Sequence, residues 1–87
     1  MTKIIATHEV KDQAHWLASP KRAEAFATIG VTDIQLFTDP QNPNLVGVAL
    51  DVPDLDALMA ALKSPEFAAA MEHDGVLPET LTLLTEA

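Results

Sequence analysis

One block of this chain occurs twice. Shifted by 45 residues, Leu17-Ala18-Ser19-Pro20 falls on Leu62-Lys63-Ser64-Pro65, Ala23 on Ala68, Ala25 on Ala70, and Gly30-Val31 on Gly75-Val76. Within residues 17–31 seven of fifteen pairs are identical. A repeat of this period is a repeated supersecondary unit, and one such unit cannot bury its own apolar face. The chain has 87 residues, enough for a single domain, so the two units have to share one core.

The repeated block reads as helix punctuation. Ser19 and Ser64 suit the N-cap, where a hydroxyl accepts from orphan helix N–H groups. Pro20 and Pro65 suit the first helical position, which needs no N–H. Gly30 and Gly75, ten residues on, suit the left-handed position that stops a helix. Asp12 and Asp54 are N-cap candidates for an earlier helix in each half. In the second half Leu55, Leu58, Met59 and Leu62 form a core-facing stripe. The matching first-half positions are Val10, Gln13, Ala14 and Leu17, a smaller and more polar stripe that leaves room beside it.

Strands take the remaining segments. Residues 3–10 place Ile4, Ala6, His8 and Val10 on one face. Residues 31–38 set Ile34 and Leu36 opposite Asp33, Gln35 and Phe37, residues 45–52 are apolar on both faces, and residues 80–85 close the chain. Asp39-Pro40-Gln41-Asn42-Pro43-Asn44 is a turn cluster. The order predicts one domain over 1–87, an α+β ferredoxin-like βαββαβ plait. Its four-stranded antiparallel sheet carries helices on one face. A strand apolar on both faces needs both covered, and no further element remains in the chain. The expected cover is a second copy, giving a homodimer through the sheet, with higher oligomers left open.

Composition narrows the partners. Five Lys and Arg against thirteen Asp and Glu give a net charge of −8, so no nucleic-acid partner is expected, because phosphate contact needs clustered cations. An apolar content of 48% excludes a disordered acidic tail. There is no cysteine, hence no disulfide or thiolate zinc site. No apolar run reaches membrane-spanning length and no signal-peptide core follows Lys3, so a cytoplasmic protein without a membrane partner is expected.

Val10-Lys11-Asp12, Trp16, Gly30-Val31, Asp39-Pro40 through Asn44, Val46, Asp54, Ser64-Pro65, Met71 and Gly75-Val76 together resemble the dimeric α+β barrel superfamily. The resemblance is to its small members related to antibiotic-biosynthesis monooxygenases and cyclase-like proteins, and it covers nearly the whole chain. It implies a ferredoxin-like subunit, dimerisation through the sheets, and a pocket between sheet and helices. The superfamily includes cofactor-free monooxygenases, lactone isomerases, haem enzymes and proteins without known activity. The matching residues are mostly caps, turns and stops, which do not choose among these.

His8 is the first candidate for chemistry, because an inward histidine beside a gap could act as acid or base toward a small phenol or enol. Trp16, the only tryptophan, is the candidate pocket wall, with Gln13, Phe37 and Met71 as substrate-binding neighbours. The ligand would be small and hydrophobic or aromatic. His73 near a helix end and Arg22, the only arginine, read more simply as a favourable cation and a solvated residue. No two of His8, His15 and His73 share a helical face, so neither a metal site nor a cofactor is read. The chain has no tyrosine, which the resemblance associates with oxygenase acids, no phosphate loop and no nucleophile elbow. Two functions stay open. One is an enzyme of the cofactor-free monooxygenase or isomerase/cyclase kind, and the other is a non-catalytic binding or assembly module with structural histidines.

Overall fold

A computed structural model describes residues 2–87. Its elements run β1 (Thr2–Val10), α1 (Gln13–Ala18), α2 (Lys21–Ala27), β2 (Thr32–Thr38), β3 (Leu45–Val52), α3 (Leu55–Ala61), α4 (Pro65–Asp74) and β4 (Val76–Thr85). The four strands form one antiparallel sheet in the order β2-β3-β1-β4. This is the ferredoxin-like order expected from two βαβ halves.

Most of the punctuation acts as the sequence suggests. Asp12 accepts from the His15 N–H and Asp54 from the Ala57 N–H, each at its own helix start. Ser64 accepts from the Phe67 N–H at 3.3 Å with Pro65 in the first helical turn. Gly30 and Gly75 sit at φ of 73° and 74°, the left-handed conformation that ends a helix and that a Cβ disfavours. In the turn, Asp39 Oδ1 accepts from the Gln41 N–H at 2.8 Å, and Asn44 Nδ2 donates to the Val10 carbonyl at 2.9 Å.

Three expectations are corrected. Ser19 repeats Ser64 only in part: its hydroxyl accepts from the Lys21 N–H at 3.2 Å at the start of α2, but it also ends α1, and Pro20 rather than Ser19 takes the cap position of α2. The first-half stripe is not core-facing, since Ala14 is exposed and Leu17 is 42% exposed. The reason is a change of register between the halves. Caps align Asp12 with Asp54, so the Trp16 N–H meets the Asp12 carbonyl as the Leu58 N–H meets that of Asp54. Trp16 is therefore the counterpart of Leu58, and both are buried. β4 also begins earlier than residue 80, directly after Gly75, with Val76 paired to Val10. Pro78 hides this start in the sequence, because proline cannot donate to a ladder. The register slips between Thr7 and Glu9, and there the Thr80 hydroxyl accepts from the Glu9 N–H at 2.8 Å, replacing the missing backbone partner.

Pairing sets the two faces of the sheet. Ile4 lies opposite Leu50, Ala6 opposite Val48 and His8 opposite Val46. These side chains are buried with Leu58, and Phe26, Ile29, Leu55 and Leu62 pack on the same core. On the other face Ile5 pairs with Ala49 and Leu84, and Phe37 with Gly47. Ile5, Phe37 and Leu84 remain 43%, 52% and 55% exposed there. No helix among the described residues is long and apolar enough to cross a membrane.

Candidate functional site

Between the helix layer and the sheet lies a cavity of about 80 Å³. Strand residues Ile4, Ala6 and His8 form its floor, and Trp16 of α1, Arg22 of α2, and Met71 and Asp74 of α4 stand around it. The rest of the lining is aliphatic or phenyl, so the ionisable groups among the lining residues are His8, Arg22 and Asp74.

His8 is 6% exposed, and its Nδ1 has no hydrogen-bond partner. A buried unpaired ring nitrogen is unusual and costs roughly 1–3 kcal/mol. The ring meets Trp16 edge to face, with centroids 5.6 Å apart. Burial pushes the imidazole below its ordinary value near 6.5. The Glu9 backbone works against this, Arg22 adds to it, and Asp74 opposes it. His8 is thus neutral near pH 7 and able to accept a proton or a hydrogen bond.

The lowered value has a consequence for stability. The unfolded chain takes up a proton at His8 from about pH 6.5 downward, whereas the folded chain resists until lower pH. Stability from this group is therefore complete above about pH 6.5 and falls as pH drops through that window, by up to about 1.4 kcal/mol per pH unit. Denaturant unfolding between pH 7.5 and 5 should show a steeper loss in the wild type than in His8→Phe. Parallel curves would refute a buried neutral His8.

Asp74 is a site residue that sequence reasoning missed, and Arg22 is one it weighed at the pocket mouth but read as a solvated helix residue. The Arg22 guanidinium lies 4.5 Å from the centroid of the Trp16 ring and donates to the Trp16 carbonyl at 3.2 Å. Burial lowers its pKa, partly offset by Asp74. Asp74 is 3% exposed and its Oδ1 accepts from His73 Nδ1 at 3.0 Å. The signal available in the sequence was position: Arg22 opens the first turn of α2, and Asp74 directly precedes the Gly75 stop.

Of the residues expected around His8, Trp16 and Met71 line the cavity, and Gln13 and Phe37 do not. Phe37 belongs to the opposite face of the sheet, as its alternation with Ile34 and Leu36 requires. Gln13 opens α1, and the space that small side chains were expected to leave is taken by the Trp16 indole. His15 and His73, read as unrelated in sequence, stand with ring centroids 5.2 Å apart.

No protein-family model matches the chain, and no curated protein does. Solved structures do. An antibiotic biosynthesis monooxygenase superposes with a TM-score of 0.65 at 21% identity, covering 100% of this chain and 97% of the other. A candidate antibiotic biosynthesis monooxygenase from Bordetella bronchiseptica gives a TM-score of 0.71 at 18% identity, with 99% and 94% covered. A conserved protein from Methanosarcina mazei gives 0.63 at 13% identity, with 98% and 89% covered. Over its whole length the chain has the ferredoxin-like α+β fold of the antibiotic biosynthesis monooxygenase structures.

Proposed function

We propose that the chain acts as a homodimer joined through its sheets, each subunit taking a small phenolic or enolic molecule in the cavity beside His8. The observation that carries this reading is the buried His8 Nδ1, without a hydrogen-bond partner, on a residue that lines a cavity whose other ionisable lining residues are Arg22 and Asp74. A ligand O–H would satisfy that nitrogen, and proton transfer to it would leave an electron-rich phenolate or enolate. Such an anion is the common starting point for oxygenation by a cofactor-free monooxygenase and for isomerase or cyclase chemistry. Trp16 and Met71 wall the ligand, and Arg22 supplies positive charge for the developing anion.

The size of the cavity favours a second reading. At about 80 Å³ it is well below the roughly 300 Å³ of ordinary ligand sites, and about half of an engineered cavity that admits benzene. On this reading the histidines are structural and the subunit is a binding or assembly module. A ring-sized ligand then requires α2 and α4 to part at Ala25 and Ala70, which line the cavity from those helices.

The single tryptophan reports directly on the site. Titration with phenol, resorcinol and 1,3-cyclohexanedione should give a saturable change in Trp16 fluorescence, lost in His8→Phe while the melting transition persists. Undiminished binding in His8→Phe removes the role of the histidine. No response from the wild type at millimolar probe supports the module instead.

A further inference from the structure

We propose that His15, His73 and Asp74 form a binding site for a divalent transition-metal ion of the zinc, nickel or copper class. One donor atom from each of the three residues lies within 4.8 Å of the others. The fold makes this meeting unavoidable. β1 and β4 are adjacent and pair Val10 with Val76, and the Lys11 N–H donates to the Gly75 carbonyl at 3.0 Å. α1 follows β1 after two residues and α4 runs into β4 through Gly75 alone, so the start of α1 abuts the end of α4. His15 Nε2 stands 2.7 Å from the His73 carbonyl oxygen, which docks one ring against the other.

The donors suit a borderline metal. Two imidazoles and one carboxylate are ordinary ligands for zinc, nickel and copper, and three protein ligands leave a position for water. His73 Nδ1 and Asp74 Oδ1, hydrogen-bonded at 3.0 Å, lie at a separation close to the roughly 3.3 Å between two ligands of a tetrahedral zinc site, and a metal bound by both would release the shared proton to solvent. Asp74 is almost fully buried while both rings are exposed, so an anchored carboxylate faces donors that can close on an ion from solvent. The last turn of α4 presents the negative end of its dipole, and the net charge of −8 draws cations to the surface. Asp74 also lines the cavity, so a bound ion would cancel the one negative charge on that wall.

The test uses the full chain without a polyhistidine tag, stripped with chelator and titrated with zinc chloride and nickel chloride by calorimetry. One ion per chain is expected, with His15→Ala and His73→Gln each weakening binding at least tenfold, on the scale of lost ligands. His8→Phe should bind as the wild type does, which separates this site from the cavity chemistry. Copper(II) should quench Trp16, the residue after His15, and fail to do so in His15→Ala. Binding that is indifferent to both variants, one ion per two chains, or no binding at about 100 µM metal would each overturn the proposal.

Discussion

Trp16→Ala is expected to remove about 3–5 kcal/mol of stability, the usual loss for a buried large aromatic. Trp16 is 1% exposed and is the one buried residue of α1. Its loss undocks a helix of only six residues, too short to persist alone. It also strips two further contacts, the edge-to-face meeting with His8 and the stacked Arg22 guanidinium. These add roughly 0.5–1.5 kcal/mol and 0.5–2 kcal/mol respectively. Domains of this size hold about 5–15 kcal/mol in total, so the variant should melt tens of degrees lower, followed by circular dichroism at fixed chain concentration. Trp16→Phe keeps a ring over the same floor and should lose much less. A loss below about 1 kcal/mol in Trp16→Ala would mean that α1 is not held by this side chain.

The contrast between Trp16 and its neighbours marks where sequence reasoning stops. Caps at Asp12, Asp54 and Ser64 and stops at Gly30 and Gly75 are local devices, fixed by the few residues around them, and each is legible without a structure. Strand alternation is equally local: it turns His8 inward and Phe37 outward, so the expectation of Phe37 beside His8 ran against a signal the sequence already carried. The helix stripe of the first half is not local in this sense. It depends on which residue of the repeat is aligned with which, and Asp12–Asp54 and Ser19–Ser64 imply offsets that differ by three residues. The alignment through the serines makes Gln13 and Ala14 core positions, whereas the capping aspartates make Trp16 one. Arg22, Asp74 and the His15–His73 pair lie further beyond reach. Their meeting depends on α2 packing beside α4 and on β1 pairing with β4, where partners such as Ile4 and Thr85 are 81 positions apart, and His15 and His73 themselves are 58 apart.

If the chain pairs through its sheet as proposed, Leu84→Asp is expected to leave it monomeric with little effect on the fold of the subunit. Leu84 pairs with Ile5 on the uncovered face and is 55% exposed, so a charge there costs the isolated chain little. In a sheet-to-sheet homodimer the same patch meets itself, and each substitution counts twice. Burying a leucine contributes about 1.5–3 kcal/mol, and an unpaired aspartate in its place adds a desolvation penalty. Two such losses amount to roughly 6 kcal/mol or more, about 10⁴-fold in dissociation constant. Sedimentation at about 10 µM should find the wild type at twice the 9.3 kDa chain mass and Leu84→Asp at 9.3 kDa. Met59→Asp, at a position 42% exposed on α3, should stay dimeric. The Lys3–Asp51 pair at 3.2 Å lies within one chain, so its screening does not act between the two copies, while the mutual repulsion of two acidic chains is screened by salt. Raising ionic strength should therefore tighten the dimer. A wild type that is monomeric at this concentration would leave the apolar face without the partner proposed for it, and would remove the dimer from the functional reading while leaving the cavity at His8 to be judged on its own titration.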